Sequence, residues 1–202
     1  MLTFTQTADH DMDDPASTQI SVYTGRGLLV ESSNVWLYGS GVEHHALYQY
    51  QFANAKDIFA GYIQTETPYW QPVPDARDQP YPLSTALNDP DYRSACPAGQ
   101  VCDAYGLRVL NSQNVLLYGV GLYSFFKDNN VSCSDKDAPN GRRDCQNRIF
   151  SVEGAYTSNL VVYSLNQVGA LKMITVDGQD KADWEPNLSV YSNTVGLFTY
   201  KV

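Results

Sequence analysis

The chain has 202 residues, of which 43% are hydrophobic and 17% are charged, and its 15 tyrosines are the most frequent aromatic residues. This length suits one domain with a hydrophobic core, and this composition favours strands over helices and over disorder. The formal net charge of -9 repels phosphate backbones and anionic lipids, so nucleic acid and membrane surfaces are not expected as partners. A neutral substrate such as a glucan is compatible with this charge.

The amino-terminal segment is polar and contains several acidic residues. Its first residues contain neither a basic region nor an apolar run, so we expect no signal peptide on this chain. No stretch reaches the roughly 18 apolar residues that a membrane span requires. The acidic run at residues 9–14 could hold calcium, although a solvated turn is the simpler interpretation. Within this run, Asp9 is the candidate for substrate binding.

One phrase occurs twice in the chain. Residues 27–41 read GLLVESSNVWLYGSG and residues 106–121 read GLRVLNSQNVLLYGVG, and each phrase predicts two short strands around a polar corner. Weaker copies at residues 48–62 and 150–163 follow the same order of strand, Asn or Asp, and strand. The alternation of side chains in the first copy predicts that Leu29, Val35 and Leu37 face inward.

The corner residues of these copies are spaced like the repeats of a solenoid. Asn34 and Asp57 are 23 residues apart and Asn114 and Asn159 are 45 apart, which we interpret as one and two repeats. The longer gap between Asp57 and Asn114 contains a Pro-rich stretch, which a solenoid can extrude as a loop. The spacing therefore predicts an all-β parallel β-helix, with few and short helices.

The predicted domain covers residues 1–202, with loop insertions at about 68–105 and 127–147. A β-sandwich is the competing fold. It would show hairpin turns between its strands, but the Asn-Gly pair at residues 140–141 lies inside a cysteine loop instead.

The cysteines lie in polar segments rich in Pro, Gly, Asn and Asp. Their spacings, C-x5-C and C-x11-C, contain no C-x-x-C knuckle, which favours two loop disulfides over a zinc site. We expect the pairs Cys96–Cys102 and Cys133–Cys145. Disulfides indicate an oxidising compartment, and glycosylation sequons at Asn130 and Asn187 agree with secretion.

Two glutamates have the spacing of the corners. Glu43 and Glu66 are 23 residues apart, so they should stack on neighbouring repeats about 4.8 Å apart at the backbone. Two stacked carboxylates repel each other, so one proton is held more tightly. Glycosidases need such an acid, together with a second group that aims water or attacks directly. Glu66 is the candidate acid; a surface carboxylate before a proline turn is the alternative.

Residues near the glutamates are candidates for substrate binding. Tyr69 and Trp70 are the aromatic residues best placed to stack on sugar rings, and Gln64 lies beside Glu66 in the same phrase. The adjacent His44 and His45 should face opposite sides of a strand, which disfavours a shared metal ion. We expect neither a metal nor another cofactor.

Five phrases occur together and in order along nearly the whole chain. They are residues 8–11 (ADHD), 23–29 (YTGRGLL), 43–51 (EHHALYQYQ), 64–69 (QTETPY) and 121–126 (GLYSFF). As a set they resemble glycoside hydrolase family 55, the fungal exo-β-1,3-glucanases.

The resemblance implies two tandem right-handed, single-stranded parallel β-helices with a cleft between them, of which this chain resembles the carboxy-terminal half. It implies an enzyme that inverts the anomeric centre and releases glucose, and sometimes gentiobiose, from the non-reducing end of β-1,3-glucan; we also expect the protein to be a monomer. By match to the family motifs, Glu66 resembles the general acid and Glu43 a carboxylate that helps to hold the nucleophilic water. Asp9 and Tyr69 resemble glucose-binding positions.

Two features depart from the family pattern. Gln6 stands where the family usually has a sugar-stacking tryptophan. The resemblance covers only the carboxy-terminal half, so the amino-terminal half, which in the family supplies polar residues of the water-binding network, is expected as a missing partner. An alternative hypothesis is therefore a catalytically incomplete β-solenoid fragment that only folds or binds glucan. A calcium-dependent pectate lyase is a third hypothesis, and the lack of clustered acidic and basic residues speaks against it.

Overall fold

The computed structural model describes residues 23–78, 82–135 and 143–202. The strands are β1 Arg26–Val30, β2 Ser33–Tyr38, β3 Gly41–Glu43, β4 Tyr48–Ala53, β5 Lys56–Glu66, β6 Tyr105–Leu110, β7 Gln113–Tyr123, β8 Gln146–Arg148, β9 Phe150–Glu153, β10 Ser158–Val168, β11 Ala170–Val176, β12 Gln179–Asp183 and β13 Asn193–Tyr200. The helical segments are α1, Tyr92–Ala95, and single 3-10 turns at Ala76–Asp78, Thr85–Leu87, Ser132–Ser134 and Glu185–Asn187. The expectation of an all-β chain with few, short helices is confirmed. Within these ranges no helix has the length and apolarity to cross a membrane.

The strands form two sheets. The first sheet has the order β1-β4-β6-β9-β11-β12, with β8 also beside β11, and the second has the order β13-β10-β7-β5-β2, with β3 also beside β5. Strands that follow one another along the chain mostly alternate between the two sheets. Their pairing is parallel except for β11 with β12 and β10 with β13, which are antiparallel and lie at one end of each sheet.

The predicted corners are left-handed residues. Asn34, Asp57, Asn114 and Asn159 have φ values of 58°, 56°, 53° and 50°, a conformation that Asn and Asp tolerate better than other residues with a Cβ. Their side chains form a ladder, because Asn159 donates to Asn114 at 2.9 Å and Asn114 donates to Asp57 at 2.7 Å. The corners therefore stack in the order that the sequence predicts.

The interpretation of the 45-residue spacing as two repeats is wrong. Strands β7 and β10 pair directly, with Tyr118 opposite Tyr163, so these 45 residues make one repeat. The additional residues leave the sheets between β7 and β8, where the Cys133–Cys145 disulfide closes a loop. Sequence distance here measures the length of an insertion rather than a number of repeats.

The second insertion lies between β5 and β6. It carries α1 and two of the 3-10 turns, and the Cys96–Cys102 disulfide closes part of it. Strands β5 and β7 pair in register across this insertion, with Ile58 opposite Val115. Both disulfides join the cysteines expected from their spacing, and the zinc alternative is excluded.

The core lies between the two sheets, and its side chains stack in register. In the first sheet Phe52 pairs with Val109, and Val109 with Val152, and all three are 0% exposed. Burying each such side chain contributes about 1.5–3 kcal/mol. The prediction that Leu29 faces inward is wrong, because the alternation of β1 points Leu28 and Val30 into this core and Leu29 against a smaller cluster around Tyr92. Val35 and Leu37 pack against the main core as expected.

A second row of left-handed residues bends the long strands of the second sheet. Tyr62 in β5, Gly119 in β7 and Ser164 in β10 have φ values of 54°, 67° and 54°, and Gly39 lies at the same level with 62°. A Cβ on Gly119 would also lie 3.0 Å from the ring of Tyr62. Each strand therefore changes direction here, and its last residues form a separate arm that carries the site described next.

Candidate active site

The two predicted glutamates lie side by side on this arm. Strands β3 and β5 are parallel, and Glu43 is the register partner of Glu66. Val42 and Thr65, which precede them, are buried at 4% and 0% exposure, so the alternation of the strands turns both glutamates to the outer face. Both are half-buried. The predicted stacking of Glu43 on Glu66 is confirmed.

The two carboxylates have different hydrogen-bond partners. The side-chain amide of Gln64 donates to Oε1 of Glu43 at 2.7 Å, and Nε2 of His44 lies 3.3 Å from Oε2 of Glu66. The side chain of Glu66 is 23% exposed. Gln64 therefore belongs to the site geometrically, as the sequence suggested, and His44 enters it unexpectedly.

His44 adds a third possible metal ligand to the two glutamates. One ligand atom each from Glu43, His44 and Glu66 lie within 4.8 Å of one another, an arrangement that could hold a divalent cation. The sequence argument against a metal concerned only the pair His44 and His45. Imidazole and carboxylate together suit zinc and similar ions, so a metal can compete for the side chains of this site.

The predicted sugar-stacking residues Tyr69 and Trp70 pack within the protein. Tyr69 is 4% exposed and Trp70 is 1% exposed. The ring of Tyr69 lies 4.1 Å from that of His44, and the ring of Trp70 lies 4.9 Å from that of Tyr23. Tyr69 therefore supports the site from behind His44, and the sugar contacts of both aromatic residues stay a prediction.

A second aromatic pair lies beside Glu66 on the outer face, and the sequence did not single it out. Tyr123 of β7 is the register partner of Glu66, and its ring stacks on that of Phe125 at 5.4 Å and 15°. Both residues are half-buried, and burial raises the pKa of the Tyr123 hydroxyl. Adding the 57-residue offset between Asp57 and Asn114 to Glu66 gives position 123 and would have identified this residue.

Other predicted sites lie away from the glutamates. Asp9 falls outside the described residues. Asn130 is exposed, whereas the amide of Asn187 donates to the carbonyl of Asp183 at 2.7 Å. Glycosylation at both positions stays a prediction.

A cleft of about 560 Å³ lies on the first sheet, away from these residues. The segment around Cys96 forms one wall and the β11–β12 turn forms another. Arg148 connects the walls through hydrogen bonds to the carbonyls of Ala95 and Gly178. Neither glutamate of the stacked pair lines this cleft.

Three curated relatives match nearly the whole chain. It is 54% identical over 194 residues to "Glucan 1,3-beta-glucosidase" of Cochliobolus carbonum, covering 96% of this chain and 24% of that protein. It is 38% identical over 192 residues to "Probable glucan endo-1,3-beta-glucosidase" of Arthroderma benhamiae, covering 95% and 21%. It is 35% identical over 191 residues to "Non-secreted LysM effector LysM15" of Penicillium expansum, covering 94% and 12%.

Over almost its whole length the chain is similar to a part of two proteins named as glucosidases. No family model matches the sequence. The chain spans about a quarter or less of the length of these relatives.

Proposed function

We propose that this chain supplies the acid side of a β-1,3-glucan hydrolase site, of the inverting exo type in glycoside hydrolase family 55. Glu66 protonates the glycosidic oxygen, and Glu43 helps to hold the attacking water. The observation that carries the proposal is the register pairing of these two glutamates on an outer face. The likeness to one protein named as a glucan 1,3-β-glucosidase and one named as a probable glucan endo-1,3-β-glucosidase supports the substrate class.

The hydrogen bonds support different roles for the two glutamates. Glu43 accepts a hydrogen bond from the neutral amide of Gln64 at 2.7 Å, which fixes the orientation of its carboxylate. Glu66 contacts an imidazole and keeps 23% of its side chain exposed, so a sugar oxygen can reach it. General acid–base groups must lie within hydrogen-bond reach of the proton they transfer.

The separation of the glutamates limits how Glu43 acts. Their nearest oxygens lie within 4.8 Å, whereas the carboxyl groups of inverting pairs are roughly 6.5–9.5 Å apart, to leave room for water between them. We therefore assign Glu43 a share in holding the water rather than the whole base function. Polar residues of a partner half complete this water site.

The fold that we propose is a single domain over 1–202, forming a right-handed, single-stranded parallel β-helix. The alternation of strands between two parallel sheets supports it. The enzyme is secreted, which the two disulfides support. Monomeric state and binding of glucose by Asp9, Tyr69 and Trp70 belong to the same proposal.

An exposed aromatic face supports a partner half within the same longer protein. This outer aromatic face is formed by Trp36, Tyr38, Phe59, Tyr62, Tyr118 and Tyr163. Trp36 is 80% exposed and Tyr38 is 71% exposed, and successive rings lie 5.5–6.2 Å apart. Large exposed apolar patches mark interaction surfaces.

Trp36→Ser should lower the unfolding temperature of the longer protein and leave that of this chain unchanged.

The second candidate function is a catalytically incomplete fragment, which the 24% coverage of the first relative favours. Glucose release from laminarin separates the two. Release by this chain alone rules out the fragment. Release only when the chain is joined to a longer polypeptide supports an incomplete half.

Glu66→Gln tests the proposal in whichever form hydrolyses laminarin. We expect kcat to fall by about 10²–10⁴-fold, whereas Glu185→Gln, at an exposed glutamate in a 3-10 turn, should change nothing. Proton NMR of the first product should show α-glucose, the inverted anomer. Full turnover by Glu66→Gln overturns the acid assignment, and initial release of β-glucose overturns inversion.

A further inference from the structure

His44 is held against Glu66 by both its backbone and its side chain. It follows β3 directly with a left-handed φ of 64°, and its backbone N–H donates to the carbonyl of Glu66 at 3.0 Å. Its ring nitrogen Nε2 lies 3.3 Å from Oε2 of the same residue. A non-glycine residue is uncommon in this conformation, and here the conformation ties the imidazole to one carboxylate.

Aromatic neighbours fix the imidazole ring in place. His44 is 1% exposed, with the ring of Tyr69 at 4.1 Å and that of Phe126 at 6.2 Å. Tyr69 and Phe126 also contact each other at 4.4 Å. The imidazole is therefore a buried partner of the half-buried Glu66 and packs against two aromatic rings.

The surroundings of the other ring nitrogen decide where the proton of His44 lies. Nδ1 is buried and has no hydrogen-bond partner among the described residues. Buried N–H groups without an acceptor are rare, whereas an unpaired acceptor is better tolerated. A proton on Nδ1 would create such an orphaned donor, in either the neutral or the charged ring. With the proton on Nε2, neither ring nitrogen is an unpaired donor among the described residues, so the geometry favours this tautomer.

We infer that His44 is a positioning residue for Glu66. Its Nε2–H donates to Oε2 of Glu66, so the proton for the sugar is carried by Oε1. This inference rests on the proposed role of Glu66 as general acid.

The hydrogen bond from His44 should strengthen during the reaction. As the bond between Oε1 and its proton breaks, the proton passes to the glycosidic oxygen, the bond from that oxygen to the anomeric carbon breaks, and Glu66 becomes a carboxylate. Water adds to the anomeric carbon, and the proton that it releases is accepted by the base of the water site, in which the Glu43 carboxylate has a share. Hydrogen bonds to ionised acceptors are stronger than those to neutral ones. His44 therefore favours the transition state over the bound substrate.

His44→Phe separates positioning from structural support, because phenylalanine keeps an aromatic ring beside Tyr69 and removes the donor. Two substrates are compared in the active form of the protein, this chain alone or within its longer polypeptide. Laminaritriose needs a proton on its leaving oxygen, whereas dinitrophenyl β-glucoside does not. We expect kcat/KM for laminaritriose to fall by about 10- to 100-fold, with the aryl glucoside nearly unchanged. His45→Phe, at the neighbouring buried histidine, is the matched control and should not change the ratio.

The outcomes distinguish the two levels of the proposal. If His44→Phe lowers kcat/KM equally for both substrates, its effect is structural and the inference is overturned. Glu66→Gln should show the same dependence on the leaving group, and if it does while His44→Phe does not, only the inference fails. Full laminaritriose turnover by Glu66→Gln ends the acid assignment and the inference with it.

Nitrogen NMR of the unsubstituted chain at neutral pH tests the tautomer without any variant. A proton on Nε2 and a bare Nδ1 support the inference. A proton on Nδ1 overturns it, whether the ring is neutral or charged. This measurement applies even if His44→Phe does not fold, and it does not depend on activity.

Discussion

Two glutamates at strand ends, Glu66 in the second sheet and Glu153 in the first, occupy opposite environments. Glu153 accepts hydrogen bonds from Arg108 at 2.9 and 2.7 Å and from Ser151 at 2.7 Å. Burial would raise the pKa of Glu153, but these donors outweigh it and lower that pKa. Glu66 faces another carboxylate and an imidazole instead. A carboxylate whose charge is neutralised stabilises the fold, and one with neutral or like-charged neighbours is available for proton transfer.

Breaking the structural pair should have the largest effect on stability. Arg108→Met leaves the carboxylate of Glu153 without its cation, and the two side chains are only 9% and 25% exposed. Loss of one partner of a buried ion pair costs about 3–5 kcal/mol. We expect the free energy of unfolding, measured by urea denaturation, to fall by about that amount, with laminarin turnover unchanged under conditions where the variant is folded.

The matched control is Arg93→Met, at an ion pair with Asp78 whose side chains are 70% and 61% exposed. Exposed pairs contribute about 0–1 kcal/mol. Equal losses in the two variants would contradict the structural role assigned to Glu153.

Added metal should act on the catalytic pair and not on the structural one. Glu43, His44 and Glu66 could together hold a divalent cation, and a bound ion would occupy the two carboxylates to which we assign the chemistry. We expect zinc chloride to inhibit laminarin hydrolysis reversibly and EDTA alone to leave it unchanged. Loss of activity in EDTA that a metal ion restores would make the cation a required component and contradict the metal-free proposal.

Lowering the pH should reduce the contribution of Glu153 to the free energy of unfolding. Its folded-state pKa lies below the ordinary value of 4.5, so its stabilising contribution is complete above pH 4.5 and is lost as the pH falls through the folded value. Glu153→Gln should therefore narrow the difference in unfolding free energy between pH 6 and acidic pH, relative to the unsubstituted chain. If the unfolding free energies of the two proteins changed equally with pH, the lowered pKa of Glu153 would make no contribution to stability, contrary to this prediction.

The stacking of Glu43 on Glu66 could be predicted because no insertion separates them. One uninterrupted repeat of 23 residues joins both the corners and the glutamates, and the strand register follows from it. Tyr123 lies one repeat further, beyond a long insertion, and only the spacing of Asp57 and Asn114 locates it. The 45-residue spacing was misread for the same reason, since loop length is invisible in a count of residues.

The role of His44 could not be predicted from the sequence. Alternation along a strand places adjacent residues on opposite faces, but His44 lies beyond the end of β3 with a positive φ, where that rule no longer applies. The burial of Tyr69 and Trp70 also depends on how the insertion that follows Glu66 packs against the strands. Such contacts are set by the tertiary packing of an insertion, which has no repeating pattern.

The central comparison is tested most directly by measuring Glu66→Gln and Glu153→Gln for both laminarin turnover and unfolding free energy. Glu66→Gln should lower kcat by about 10²–10⁴-fold and change the unfolding free energy by less than about 1 kcal/mol. Glu153→Gln should lower the unfolding free energy by about 1–3 kcal/mol and leave kcat unchanged. Full turnover by Glu66→Gln, or lost turnover in a fully stable Glu153→Gln, would contradict the assignment of chemistry to the second sheet and stability to the first.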